Sequence, residues 1–224
     1  MNGPERSHVA SPAAHIAPLL DEIPYLPPED AALRLANVPD VEVADLLRWL
    51  GPGIADAVLH ALGEARRASV LAAAPAEEGR QWARNFTYPD DSVGRLMEPP
   101  QPVFAPRQTV AQTTARIREL AKTTLVTYGF VTDPNGTLLG VVTMRDLLLA
   151  DSAATLESIM LRDPFVLSPE QPLVEAARLV VARHFPVYPV CDAAGRLVGT
   201  VRGRTLFEQQ AFEISAQAGT MVGV

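Results

Sequence analysis

The first third of the chain alternates short apolar stretches with proline or glycine. Such a residue recurs every 11 to 13 positions, at Pro28, Pro39, Pro52, Gly63 and Pro75. Between these breaks, leucine and valine lie at helical spacing, at Leu33, Leu46, Leu47, Leu50, Val58, Leu59, Leu62, Val70 and Leu71. Because proline fits the first turn of a helix and breaks its interior, the pattern predicts helices of about two turns. Helices this short are unstable alone, so we expect them to stack as an array over residues 16–84.

The second half of the chain contains one pattern twice, in residues 131–148 and 190–207, with the copies 59 positions apart. Each copy has an apolar strand, a turn running from an aspartate to a glycine, a second apolar strand and a stretch typical of a helix. The turns are Asp133–Gly136 and Asp192–Gly195. The pattern therefore predicts two β-hairpins, each followed by a helix.

Similar flanks extend the copies to residues 97–150 and 160–210. A further helix is predicted in each, over 109–121 and 172–184, and the first copy has four additional residues near 123–127. Each copy then has the order strand, helix, strand, strand, helix. A three-stranded sheet of this size does not bury a core alone, so we expect the copies to pack together. The predicted fold is an N-terminal domain of short helices followed by a tandem pair of α/β domains.

Each copy resembles a CBS domain. The resemblance rests on Leu139–Asp146 (LGVVTMRD) in the first copy and on Phe185–Val190 (FPVYPV) in the second, together with the two Asp-to-Gly turns. It implies a first CBS domain over residues 97–157 and a second over 158–212. CBS pairs are dimer-forming modules, so the resemblance also implies a homodimer formed through the CBS helices.

A second resemblance spans nearly the whole chain. The short helices, the segment Tyr88–Met97 (YPDDSVGRLM) and the paired CBS copies are together similar to the cytosolic part of MgtE-type magnesium transporters. This implies a cytoplasmic region that regulates gating, with the membrane domain of the same transporter as its partner. Residues 85–96 are then a linker, 213–224 are the start of a connector toward that membrane domain, and 1–15 are a flexible tail. The alternative is a stand-alone nucleotide-sensing adaptor without a membrane domain.

Two polar residues at the end of the first hairpin form a candidate nucleotide site. The carboxylate of Asp146, in the first turn of a helix, is suited to accept hydrogen bonds from a ribose, and the Thr143 hydroxyl is suited to donate to a phosphate. The family resemblance implies ATP or another adenine nucleotide, with its base enclosed by Tyr128 and Phe185. The competing interpretations are a simple helix cap for Asp146 and core packing for the two aromatic rings.

The second copy lacks this pair of polar residues. Arg202 stands where the first copy has Thr143, Thr205 stands where it has Asp146, and a second arginine, Arg204, lies between them. We therefore predict that the second copy binds no nucleotide, although arginine is chemically suited to a phosphate.

Magnesium sensing is where the sequence departs most from the resemblance, since Mg²⁺ prefers carboxylate oxygens and water. Positions that carry acids in the family hold Pro172, Val174, His184 and Thr205 here, while Glu175 and Glu213 remain. The helical domain keeps the acids Asp40, Glu42, Asp45 and Asp56. The first two of these equally suit a helix N-terminus. We expect Mg²⁺ binding to be weak or absent, and we assign no metal ligand.

Composition narrows the function further. A net charge of −7 argues against a nucleic-acid partner, which requires a basic face. No apolar run approaches the roughly 18 residues of a membrane span. The single cysteine, Cys191, is predicted to be a small buried residue in a protein of a reducing compartment. No nucleophile and base are paired, and Asp90-Asp91 is interpreted as a helix cap, so no catalytic residue is assigned and an enzyme is not expected.

Overall fold

The structure is a computed structural model that describes residues 16–122, 124 and 126–208. The predicted tail (1–15) and connector (213–224) lie outside these described residues. The described chain forms two compact units. The first unit contains residues 100–165 and 193–197, and the second contains residues 16–99, 166–192 and 198–208.

Six short α-helices open the second unit. They are α1 Ala17–Glu22, α2 Pro28–Arg34, α3 Asp40–Trp49, α4 Pro52–Ala61, α5 Glu64–Ala73 and α6 Ala76–Asn85. A 3-10 helix, Ile23–Tyr25, follows α1. Each of the five predicted breaks lies at the start of a helix, with Pro28 and Pro52 in the first turn and Pro39, Gly63 and Pro75 at the N-cap. The predicted helical array is confirmed.

The core of the helical region follows the predicted apolar pattern with one exception. Its buried members are Ile16, Leu19, Ile23, Ala31, Leu35, Val43, Ala44, Leu46, Leu47, Ala55, Val58, Leu59 and Val70. The prediction that Leu33 belongs to the buried face of α2 is wrong, because 73% of it is exposed. The buried stripe of this short helix passes through Ala31 and Leu35, which lie one turn apart, and Leu33 is rotated away from that stripe.

The first unit is built on a four-stranded sheet. Its strands, in the spatial order β1-β2-β3-β4, are β1 Val103–Phe104, β2 Tyr128–Thr132, β3 Leu138–Thr143 and β4 Leu161–Arg162. β1 is parallel to β2, while β3 is antiparallel to both β2 and β4. Three helices complete the unit, α7 Val110–Leu120, α8 Met144–Leu149 and α9 Leu156–Ile159. The hairpin and both helices predicted for the first copy are therefore confirmed.

The remainder of the second unit carries the second copy. Its elements are α10 Leu173–Val181, β5 Val187–Cys191 and β6 Leu197–Arg202, followed by a helical stretch at 203–208. β5 and β6 pair in a two-stranded sheet. Leu167 adds a parallel bridge to Val190, which is the counterpart of the β1 to β2 pairing in the first unit.

The first residues of each copy pair with the hairpin of the other copy. Glu98, from the start of the first copy, forms an antiparallel bridge with Thr200 of β6. β4, from the start of the second copy, pairs with β3, so that Gly140 lies opposite Arg162. The folded units therefore do not follow the order of the copies in the sequence, which explains why each unit contains residues from both.

The segment between α6 and the first copy is held by side-chain contacts. Ser92 precedes a 3-10 helix, Val93–Leu96, but its hydroxyl donates to the carbonyl of Pro89 at 2.7 Å and does not cap the helix. Asp90 binds the guanidinium of Arg95 at 2.6 Å. The interpretation of Asp90-Asp91 as a helix cap is therefore wrong for Asp90, because its carboxylate pairs with the buried Arg95.

Candidate functional site

Thr143 and Asp146 contact each other at the end of β3, where α8 begins. The Thr143 backbone N–H and hydroxyl both donate to Asp146 Oδ2, each at 2.8 Å. In return, the Asp146 backbone N–H donates to the Thr143 hydroxyl oxygen at 3.2 Å. This reciprocal arrangement is a capping box, in which two backbone donors of the first helical turn are satisfied. The helix-cap interpretation of Asp146 is therefore correct.

The cap uses only one of the two carboxylate oxygens of Asp146. Both donors from Thr143 use Oδ2, and Oδ1 accepts no hydrogen bond from the described residues. A carboxylate oxygen offers two acceptor positions, so a half-buried Asp146 is able to cap the helix and accept a hydroxyl at the same time. The two interpretations of this residue are compatible.

Tyr128 lies directly beside this pair. It is the residue opposite Thr143 in the antiparallel ladder between β2 and β3. Directly opposite residues project from the same face of a sheet and place their Cβ atoms about 5 Å apart. Tyr128 is half-buried, so its ring is in part accessible on the face that carries Thr143. The structure therefore brings together three of the four residues proposed from the sequence.

The fourth residue, Phe185, belongs to the second unit. Its ring is 45% exposed and meets Tyr188 edge to face, with 5.9 Å between the ring centres. The Tyr188 hydroxyl accepts from the Phe185 backbone N–H at 3.0 Å and donates to the Val180 carbonyl at 3.1 Å. Tyr188 is the buried core residue, and Phe185 covers it from the solvent side.

The end of β6, which corresponds to the end of β3, is built differently. Arg202 Nε lies 2.9 Å from Glu98 Oε2, and Arg204 pairs with Glu208 one helical turn away. Thr205, at the position of Asp146, is buried. Both arginines therefore have carboxylate partners from the chain itself.

No group of three or more His, Cys, Asp or Glu in the described part of the chain is placed to hold a metal ion. Three of the four acids considered in the helical domain contact arginines instead, as Asp40 with Arg66, Asp45 with Arg48 and Asp56 with Arg95. Glu213 lies outside the described residues.

A buried polar cluster around Arg95 was missed by the sequence reasoning. Arg95 is 5% exposed, and its Nε and Nη2 atoms each lie 2.9 Å from Asp56 Oδ1. Its guanidinium carbon also lies 4.2 Å from the centre of the Phe86 ring. Burial raises the pKa of Asp56, and the neighbouring Arg95 opposes that rise. The sequence held only a weak signal, a lone arginine in a stretch whose other residues suit a loop.

Cys191 is buried at the end of β5, as predicted. Its burial, with a smaller effect from Asp192, raises the pKa of the thiol to about 11. A thiol with such a pKa is almost fully protonated near neutral pH and is a poor nucleophile.

Within residues 16–122 and 126–208, no helix is long and apolar enough to cross a membrane.

Comparison with known proteins agrees with the architecture. A search with family sequence models matches the CBS domain to residues 93–153 and 156–211. The magnesium transporter MgtE of Thermus thermophilus is 34% identical over 115 residues, which are 51% of this chain and 26% of that protein. The chain thus spans about a quarter of the length of this relative.

Two solved structures extend the similarity beyond the CBS repeats. The cytosolic domain of the Mg²⁺ channel MgtE in complex with ATP has a TM-score of 0.72 and 26% identity, covering 84% of this chain and 78% of that one. The soluble part of a magnesium transporter has a TM-score of 0.70 and 21% identity, covering 87% and 81%. The resemblance to the cytosolic region of MgtE is confirmed, and the chain belongs to the CBS domain family.

Proposed function

We propose that this chain is the cytosolic regulatory region of an MgtE-like magnesium transporter, at the cytoplasmic face of the membrane. The observation that carries the proposal is the similarity to the cytosolic domain of the Mg²⁺ channel MgtE, which extends over 84% of the chain and so includes the helical domain as well as the CBS pair. CBS domains alone occur in proteins of many functions, whereas this combination is far more restrictive.

The proposed ligand is ATP or another adenine nucleotide. The similar MgtE domain was solved in complex with ATP, which supports this choice. In the first unit, Asp146 has one carboxylate oxygen available for a ribose hydroxyl, and Tyr128 offers a ring on the face that carries Thr143. We assign Thr143 to a phosphate, toward which its hydroxyl turns the one proton that it otherwise donates to Asp146 Oδ2. We assign Phe185, on the family resemblance, to the second side of the base.

Regulation requires the ligand to prefer one arrangement of the helical domain and CBS pair over another. A ligand with equal affinity for both arrangements shifts nothing, however tightly it binds. The proposed role of the nucleotide is therefore to stabilise one packing of the cytosolic region, which the membrane domain of the same transporter then senses.

Magnesium itself is proposed to bind this region weakly. The pairing of Asp40, Asp45 and Asp56 with arginines supports this, because a carboxylate held by a cation has less to offer a second one. Calorimetric titration with MgCl₂ tests the proposal directly. A binding curve that saturates at or below about millimolar Mg²⁺, as at established protein sites for hard cations, would contradict it.

The chain is proposed to act as a homodimer without catalysis of its own. Val174 and Val181 lie two turns apart on one face of α10 and are 40% and 51% exposed, which supports contact through this CBS helix. Sedimentation of the wild type and of Val181→Glu should give a dimer and a monomer. Incubation with ATP should release no phosphate, and steady release would show an enzyme.

The nucleotide site is tested by calorimetric titration with ATP. Asp146→Ala removes the carboxylate and should weaken binding at least about tenfold, since one charge-assisted hydrogen bond contributes about 1.5–3 kcal/mol. Asp151→Ala is the matched control, because Asp151 is an exposed acid in the same unit whose side chain accepts only a local hydrogen bond from Ala153. Equal affinity of Asp146→Ala and wild type would remove Asp146 from the site.

A further inference from the structure

The end of β6 carries an ion pair at the place where the end of β3 carries the proposed nucleotide site. Arg202 ends β6 as Thr143 ends β3, and a helical stretch follows each of them. Arg202 Nε lies 2.9 Å from Glu98 Oε2. Glu98 does not belong to this hairpin and reaches it from the segment that precedes β1.

The backbone fixes the position of Glu98. Its N–H donates to the Thr200 carbonyl at 2.8 Å, and its carbonyl accepts from the Thr200 N–H at 2.9 Å. Thr200 is two residues before Arg202, so residue 98 is held alongside β6 by a pair of ladder hydrogen bonds. The carboxylate therefore stays near the end of the strand even when the arginine side chain moves.

Glu98 is the less hydrated member of the pair. Its side chain is 31% exposed, against 59% for Arg202. Burial raises the pKa of the Glu98 carboxyl, and the attraction of Arg202 opposes that rise. Because less water screens a half-buried charge, this carboxylate repels a phosphate that approaches Arg202 and offsets the attraction of the arginine.

Arg204, the other arginine of this region, also has a carboxylate partner. Arg204 pairs with Glu208 on the helical stretch that follows β6. The backbone N–H of Gly203, which lies between the two arginines, donates to the Pro186 carbonyl at 3.1 Å. Each arginine is therefore neutralised by a carboxylate of the chain, and the Gly203 N–H is already used by a carbonyl.

We propose that Glu98 excludes anionic ligands from the end of β6 and thereby limits the chain to one nucleotide, bound at the end of β3. The identity of that nucleotide rests on the function proposed above, whereas the exclusion does not. Glu98 is then a specificity-determining residue, because its ion pair with Arg202 prevents that arginine from binding a phosphate.

Calorimetric titration with ATP tests the exclusion in four proteins. The wild type should bind one ATP per chain. Glu98→Gln, which keeps the shape of the side chain and removes its charge, should bind a second ATP at least about tenfold more tightly than any second binding by wild type, a change of about 1.4 kcal/mol. Glu98→Gln combined with Arg202→Ala should return to one. Glu64→Gln, which removes one exposed negative charge on α5, is the matched control and should also bind one.

The outcomes separate the two proposals. A second ATP in Glu98→Gln that is lost with Arg202 supports the exclusion, and adenosine, which has no phosphate, should show no such gain. A single ATP in a Glu98→Gln protein that unfolds like wild type would overturn it, as would two in wild type. If wild type binds none, the nucleotide site at β3 fails, and the exclusion stands only if Glu98→Gln gains an Arg202-dependent ATP. Glu98→Ala, read in the same way, is the second variant should Glu98→Gln fail to fold.

Discussion

Met160 packs against the backbone of Gly140 so closely that a Cβ atom at position 140 would lie 2.8 Å from both the Cγ and the Sδ atoms of the methionine. The second copy repeats the contact with Gly199 and Met97, where the corresponding distances to Sδ and Cβ are 2.7 and 2.8 Å. In both cases the methionine is the first residue of one copy and the glycine belongs to the hairpin of the other. These contacts therefore hold the exchanged segments in place.

Replacing either glycine by alanine should destabilise the unit that contains it. At Gly140 the new methyl group would also lie 2.6 Å from the Leu161 carbonyl oxygen, which a rigid backbone cannot easily yield. We expect Gly140→Ala and Gly199→Ala each to cost about 1–3 kcal/mol of unfolding free energy, as is typical of overpacking. Urea denaturation measures the effect.

Gly51→Ala provides the control for these substitutions. Gly51 has a negative φ, and nothing lies within 4 Å of an added Cβ. Alanine is a poorer N-cap residue than glycine but adds no close contact here, so the loss should be limited to about 1 kcal/mol. Equal losses at positions 51 and 140 would show that the close contact with Met160 is not what the glycine serves.

The exchange of segments could not be predicted from the sequence. The copies, their hairpins and their helices follow from local periodicity, since strand and helix faces repeat every 2 and 3.6 residues. Which copy a short segment such as β4 joins depends on contacts across the fold, and no local pattern records it. The prediction that Leu33 is buried was wrong for a related reason. In a helix of seven residues, the elements that pack against the helix decide which side is buried.

The candidate site was predictable to the same extent. Thr143 and Asp146 are three positions apart at a strand-to-helix junction, so their contact follows from local geometry. The position of Tyr128 opposite Thr143 follows from the register of the hairpin formed by β2 and β3. The Arg95 cluster was not predicted, because its partner Asp56 is 39 positions away and nothing in the sequence pairs them.

Arg95 should be the most sensitive charged residue of the helical region. Arg95→Ala leaves Asp56, a half-buried carboxylate whose pKa burial already raises, without its cation. Breaking a buried pair in this way typically costs about 3–5 kcal/mol. We expect a loss in that range by urea denaturation. Arg48→Ala is the control, since Arg48 contacts Asp45 and Glu78 only at 3.5 and 3.4 Å near the surface and should lose at most about 1 kcal/mol.

A double-mutant cycle separates the ion pair from the packing of Arg95 on Phe86. If the pair dominates, Asp56→Ala should cost less in the Arg95→Ala background than in wild type, because the unpaired carboxylate is removed. Additive losses would assign the effect of Arg95→Ala to its other contacts, with the Phe86 ring and with Asp90.

Thr113 is expected to be a site where a substitution stabilises the protein. Its hydroxyl is buried and has no hydrogen-bond partner among the residues that the structure describes. It lies on α7 between the buried residues Val110 and Ile117. Thr113→Val replaces the hydroxyl with a methyl group of similar size and removes the cost of burying an unpaired polar atom. We expect a gain of about 1 kcal/mol, within the range for one unsatisfied group.

Thr114→Val is the matched control for this prediction. It makes the same change on the same helix at the next, half-buried position, and surface changes of this kind usually stay within about 0.5 kcal/mol. A loss of stability in Thr113→Val would mean that the hydroxyl has a partner in solution, such as a buried water.

The turn of the first hairpin should contribute stability that depends on pH. Asp133 Oδ1 accepts from the backbone N–H groups of Asn135 and Thr137 at 2.8 and 2.9 Å. These hydrogen bonds lower the pKa of the Asp133 carboxyl, and the bond from the Thr137 backbone has the largest effect. Because the folded pKa lies below the unfolded one, the stabilisation is present in full above the unfolded value, about 3.9, and is lost as pH falls through the folded value.

Two substitutions at Asp133 separate the effect of its charge from that of its hydrogen-bond acceptor. The unfolding midpoint of each variant is measured between pH 2 and pH 7. Asp133→Asn keeps an oxygen acceptor and removes the charge, so its deficit relative to wild type should be constant near neutral pH and vanish in acid. Asp133→Ala removes the acceptor as well, so part of its deficit should persist at pH 2. Asp21→Asn, on the exposed face of α1, should follow wild type throughout. A deficit of Asp133→Asn that grows in acid would reverse the sign of the argument and show that the charged carboxylate is not the form that the turn prefers.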